Sequence, residues 1–140
     1  LNVPLTVPFN GVMALKGMDE STIYVSQEDP LTLTLYWEVL TPPEQLLNVF
    51  IHLINEDGQI VAQADRWPGG LPSDLWAEGQ IIVDEYSIPI PAVVPDEPFT
   101  LAVGLYDPTT GVRLTPQTSL PVDDNRLFLP IPVFAEPPIE

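Results

Sequence analysis

The sequence predicts an all-β fold: an immunoglobulin-like antiparallel β-sandwich of seven or eight strands, with one short helical turn running from Ser73 to Glu78. Three observations carry that expectation. Proline supplies 18 of the 140 residues against only 8 glycines; a proline inside a helix costs about 3 kcal/mol, whereas strand edges and turns accommodate it. Apolar and polar residues alternate with a period of two in three segments, the mark of strands with one face in a core. Turn signals separate these segments at the spacing of a sandwich. A jelly roll is the competing β architecture.

Taken in order, residues 12–16 open the fold after a Pro-rich lead-in. Leu31, Leu33, Leu35, Trp37 and Val39 then alternate with Thr32, Thr34, Tyr36 and Glu38, and Trp37 suits the core position that such sandwiches fill with tryptophan. Residues 48–55 and 59–65 flank Glu56-Asp57-Gly58, and Asp-Gly between apolar runs is a strong hairpin signal. Ile82, Asp84, Tyr86, Ile88 and Ile90 share one face of the next strand, which puts a carboxylate, Asp84, among apolar neighbours. Phe99, Leu101, Val103 and Leu105 form the inward face of another. Asp107 to Gly111 reads as a turn into a short strand at 112–115. Residues 127–134 read as a last strand at a sheet edge, because Pro130 and Pro132 cannot donate ladder hydrogen bonds. Residues 66–80 are the longest irregular stretch. Within them Ser73 is placed to cap, and Gly79 to end, a single helical turn lying over the sandwich. The whole chain reads as one domain, with an ordered core at about residues 10–134 and Pro-rich ends.

Composition narrows the function. Hydrophobic residues make up 45% of the chain, enough for a core, so intrinsic disorder is excluded. Twenty acidic residues face only Lys16, Arg66, Arg113 and Arg126, leaving a net charge of −16. Such a surface repels phosphate backbones and anionic lipid headgroups, which argues against nucleic-acid partners and peripheral membrane binding. No apolar run reaches the ~18–20 residues of a membrane helix, so no direct membrane insertion of this segment is expected. Cysteine is absent, which removes disulfides, thiolate metal sites and cysteine nucleophiles together. The start at Leu1, with no basic leader, reads as a segment of something longer.

Several stretches resemble a known module. Leu31 to Thr41 (LTLTLYWEVLT), Val49 to Leu53 (VFIHL), Gln59 to Asp65 (QIVAQAD) and Leu101 to Gly111 (LAVGLYDPTTG) are similar to a β-sandwich module of Chloroflexi-type multi-domain envelope proteins. Trp67 to Ser73 and Trp76 to Gly79 resemble that module's Gly-Pro loop and its Trp-x-x-Gly turn. In many such proteins the module follows a polytopic region similar to dolichyl-phosphate-mannose mannosyltransferase-like glycosyltransferases. The resemblance covers roughly Gly11 to Leu114. It implies an extracytoplasmic location in the cell envelope or as a secreted protein, beside carbohydrate-handling membrane proteins. It brings no active site with it.

The residues themselves offer four kinds of chemistry. His52, the sole histidine, falls within cross-strand reach of Gln63 or Asp65, where a His–carboxylate pair could orient a base. With one histidine and no cysteine, a transition-metal site lacks ligands, so His52 and Asp65 are expected to be structural polar residues. Acidic pairs are numerous: Asp19–Glu20, Glu28–Asp29, Glu56–Asp57, Asp84–Glu85, Asp96–Glu97 and Asp123–Asp124. Neighbours on a strand point to opposite faces, however, so Asp84 and Glu85 cannot flank one glycosidic bond. Buried Asp84 is expected to accept hydrogen bonds from amides of the 66–80 loop, or from His52. Calcium would need oxygen ligands gathered at loop ends, with Asp107, Asp123, Asp124 and Asn125 as the nearest to a cluster, yet no Asp-x-Asp-x-Asp-Gly loop is present. Sugar binding is the fourth. Trp67 and Trp76 in the long loop, with Asp74 and Tyr106 (and Tyr36 on a strand), supply flat faces and hydroxyl partners; the competing role for a loop tryptophan is to plug the end of the sandwich. A strip at Ala102 and Gly104 is where Trp76 could lie. No nucleophile elbow, phosphate loop or dinucleotide fingerprint occurs. The sequence therefore reads as a non-catalytic, acidic accessory or interaction module that needs no cofactor or metal. Its partners would be a glycan or neighbouring domains of the parent protein, and the alternative is a carbohydrate-binding module built on the loop tryptophans.

Overall fold

The computed structural model describes residues 2–26, 29–90 and 98–135. Glu28, Asp96 and Glu97, named above among the acidic pairs, lie outside them. The strands are β1 (Val3–Phe9), β2 (Met13–Met18), β3 (Ile23–Val25), β4 (Leu31–Val39), β5 (Asn48–Ile54), β6 (Ile60–Arg66), β7 (Ile81–Ile88), β8 (Thr100–Tyr106), β9 (Val122–Asp123), β10 (Arg126–Phe128) and β11 (Val133–Ala135). The first sheet has the order β1-β2-β4-β7 and the second β6-β5-β8-β10-β9, both antiparallel. One continuous apolar core lies between them. This is the all-β sandwich that the alternation predicts.

β4 and β7 show why the reading works. Both alternate buried and less buried residues along their length, and they pair from Leu31↔Ile88 to Glu38↔Ile81 without a bulge. Trp37 is fully buried, with the edge of Phe9 against it at 5.6 Å and 63°. At the β5–β6 hairpin the Asn55 side chain accepts the amides of Asp57 and Gln59, an Asx-type turn of the kind the Asp-Gly signal announces.

Five local expectations need correction. The Pro-rich lead-in is itself a strand: β1 pairs with β2 from Val3↔Met18 to Phe9↔Met13, with a register shift between Pro4 and Val7. Strand structure therefore starts at Val3 and not near residue 10, because a sheet edge tolerates residues that cannot donate. Residues 112–115 form no strand; isolated bridges, Tyr106↔Arg113 and Phe9↔Pro116, and backbone bonds such as Leu114 N to the Leu105 carbonyl tie that stretch down instead. Residues 127–134 are not one edge strand. The chain is broken around Pro130 and Pro132; β10 lies inside the second sheet, while β11 crosses over to pair in parallel with β3. The helical turn is a 3-10 turn over Ser73–Leu75 whose N-cap is Pro72, so it stops short of Glu78. Buried Ser73 does not cap it; its hydroxyl donates to the Gln45 carbonyl at 2.8 Å and ties two loops together. A further 3-10 turn, Pro68–Gly70, lies against β7. Finally, the Ala102–Gly104 strip is covered from within its own sheet by Phe50, with no role for Trp76. A Cβ on Gly104 would sit 2.2 Å from Phe50 Cζ.

Candidate functional site

The outer face of the second sheet brings His52, Tyr106, Arg113 and Arg126 together around Phe50. In β5 the residues Val49, Ile51 and Leu53 join the core, so strand alternation turns Asn48, Phe50, His52 and Ile54 outward. Their partners on β8 are Tyr106, Gly104, Ala102 and Thr100. Phe50 lies at the centre: His52 stacks beside it at 4.9 Å, Tyr106 meets it edge-on at 6.0 Å, and the Arg113 guanidinium covers it at 4.5 Å. Gly104 is required here because any side chain would occupy the space of the Phe50 ring. This cover buries Phe50, His52 and Ile54 on β5 and Ala102 and Gly104 on β8, while Asn48 and Tyr106 stay half-buried and Thr100 exposed.

Two arginines are held over this face by the β9–β10 hairpin. Its turn residues Asp124 and Asn125 both have positive φ, 54° and 56°, as a two-residue hairpin with type I′ geometry requires. Arg113 donates to the Asp124 carbonyl and carboxylate at 2.9 and 3.1 Å, and Arg126 to the Asp123 carboxylate at 3.2 Å. Arg126 also points Nη1 at His52 Nδ1, 3.2 Å away. A guanidinium only donates, so Nδ1 is the acceptor and the imidazole proton sits on Nε2. Burial, reinforced by the charges of Arg126 and Arg113, lowers the His52 pKa to about 4. The ring is neutral at pH 7 and poorly matched to general-base work there, which favours a pKa near the operating pH.

The expected pairing of His52 with a carboxylate therefore does not form. His52 stands opposite Gln63, and Asp65 stands opposite Phe50. Asp65 is exposed on β6, not in the core, and instead accepts the Tyr106 hydroxyl at 2.6 and 2.7 Å and the Asn48 amide at 2.9 Å. Asp84 is fully buried and accepts the Gly69 amide of the 66–80 loop at 2.7 Å, as expected, but from Arg66 Nη2 and Trp37 Nε1, both at 3.2 Å, and not from His52. Burial raises its pKa, and the Gly69 amide is the largest opposing influence. Arg66 also donates to the Glu85 carbonyl and stacks on Tyr86 at 4.4 Å. Asp84 thus pins the 66–80 loop and β6 to the first sheet.

The loop tryptophans separate. Trp76 is only 6% exposed and donates Nε1 to the Leu71 carbonyl at 3.0 Å, so it belongs to the core. Trp67 is 41% exposed and Asp74 lies at the surface. The Tyr106 hydroxyl is engaged by Asp65. Tyr36 is likewise engaged, donating to Asp19 at 2.8 Å. Among the described residues no three His, Cys, Asp or Glu side chains converge as a metal site, and Asp123 and Asp124 face arginines instead. Sequence reasoning missed Phe50, Arg113 and Arg126. An apolar run, Val49 to Leu53, interrupted only by His52 and set beside small Ala102 and Gly104, was the available sign of a strand covered on both faces.

No protein-family model matches this chain, and no curated protein matches it. Among solved structures it is similar to a calcium binding mutant of Bacteroides uniformis β-glucuronidase 2, with a TM-score of 0.42 and 10% identity over 76% of this chain. A crystal structure of Bacteroides uniformis β-glucuronidase gives a TM-score of 0.41 at 10% identity over the same share. The matched region spans 12% of each of those chains.

Proposed function

We propose that this chain is a non-catalytic, acidic interaction module of a larger extracytoplasmic cell-envelope protein, placed beside carbohydrate-handling membrane machinery. One observation supports the non-catalytic reading above others: the polar side chains that the sequence offers for chemistry are committed to bonds that hold the fold. His52 accepts from Arg126, Asp65 from Tyr106 and Asn48, and Asp84 from Gly69, Trp37 and Arg66. All four cations are likewise engaged in ion pairs, which leaves an acidic surface suited to uncharged or cationic partners. The envelope location follows from the resemblance of the Leu31 to Thr41 and Leu101 to Gly111 stretches. Carbohydrate binding through paired loop tryptophans loses support, because Trp76 is buried.

Two measurements test this. Incubation of the 140-residue chain with aryl glycosides, esters and phosphates should release no more chromophore than buffer; turnover that disappears in His52→Gln or Asp65→Asn would overturn the non-catalytic reading. Surface biotinylation of intact source cells should label the parent protein within this module, and labelling only after lysis would overturn the location.

A further inference from the structure

Two aromatic rings lie on the surface where no core contact requires them. Tyr24 on β3 and Phe134 on β11 stand directly opposite each other in the parallel ribbon, with ring centroids 6.1 Å apart and planes inclined by 36°. They are 61% and 46% exposed, while their strand neighbours Ile23, Val25 and Val133 are buried in the core. The alternation therefore fixes the backbone under both rings, so the pair is held in place before anything binds. Thr22 and Pro132, two positions before each ring, are exposed as well, which places a hydroxyl-bearing residue at the margin.

Size and charge select the occupant. Aromatic side chains offer roughly 150–250 Å² each, so at these exposures the pair presents on the order of 200 Å². A stable protein partner needs about 800 Å² on each side, which this pair falls well short of; a second copy would also bring another sixteen negative charges. The same charge disfavours anionic lipids and phosphorylated or uronic ligands. An uncharged molecule with an apolar face about the size of one or two rings fits both limits. We infer that Tyr24 and Phe134 form a stacking platform for an uncharged oligosaccharide, with the C–H faces of successive pyranose rings against the aromatic faces. The inference rests on reading the chain as a binding module, but the two fail separately.

Native affinity electrophoresis of the 140-residue chain through gels containing xylan, mixed-linkage β-glucan, galactomannan or starch provides the test. Retardation is expected in at least one gel. Tyr24→Ala or Phe134→Ala should each weaken it about tenfold, whereas Phe134→Tyr and Trp67→Ala should leave it unchanged. No retardation in any of the four gels overturns the platform, as does retardation that survives both alanine variants or is lost in Trp67→Ala. Amide chemical-shift changes on adding the matching oligosaccharide give a check that needs no variant. They should centre on Ile23–Val25 and Val133–Ala135, and a centre elsewhere overturns the inference. Release of new reducing ends from the retarding polysaccharide would instead count against the non-catalytic reading and leave the platform standing.

Discussion

His52 gives the sharpest physical test, because it is the only histidine in the chain and its titration can be read without assignment ambiguity. Its pKa is about 4 in the folded protein against 6.5 unperturbed. The folded state therefore binds fewer protons than the unfolded chain in that interval, and stability falls as pH drops from about 6.5 through about 4. At 1.36 kcal/mol per unit of pKa difference, the loss reaches about 3 kcal/mol once pH lies below both values. Asp84 acts in the opposite sense, since burial raises its pKa and the folded state holds that proton more tightly. The His52 contribution must therefore be isolated by comparison with His52→Gln. Urea unfolding at pH 7.0 and again near pH 4 should show the wild type losing about 3 kcal/mol more than the variant between the two conditions. Nuclear magnetic resonance titration of the imidazole should show a midpoint near 4. In Arg126→Met the midpoint should rise yet stay below 6.5, because burial is the larger cause and survives the substitution. A wild-type midpoint at 6 or above, unmoved by Arg126→Met, would refute the placement of His52 beneath two arginines.

The other predictions concern packing and polar satisfaction. Gly104→Val should destabilise the fold by about 1–3 kcal/mol in urea, since the new side chain meets Phe50 at 2.2 Å; an unchanged midpoint would show that Phe50 does not lie over β8. Trp76→Ala should cost about 3–5 kcal/mol and Trp67→Ala less than about 0.5. Iodide should quench the fluorescence assigned to Trp67 and leave that of Trp76 and Trp37 almost unaffected, given their burial. Asp84→Ala strips the acceptor from the Gly69 amide, Trp37 Nε1 and Arg66, so a loss of about 2–3 kcal/mol is expected by calorimetry; Asp84→Asn, which keeps an acceptor oxygen, should lose less.

Wherever one strand has one wet face, its own residues announce it. The alternation of Leu31 to Val39 and of Ile82 to Ile90 was enough to orient β4 and β7, to place Trp37 in the core and to bury Asp84 with an amide from the neighbouring loop. The Asp-Gly turn likewise specified the β5–β6 hairpin, because its geometry is decided within five residues. What stayed hidden depends on groups distant in the chain. Val49 to Leu53 shows no alternation because both of its faces are covered, and the cover over His52 includes Arg126, 74 residues away. Tyr24 and Phe134 sit in three-residue strands too short to show a period, and their pairing is a parallel contact between segments far apart in the chain. Local periodicity thus determined the sandwich and its interior. The partner of His52, the parting of Trp67 from Trp76 and the exposed aromatic pair were decided by tertiary packing, since each depends on which distant segment packs over that spot or leaves it open to water.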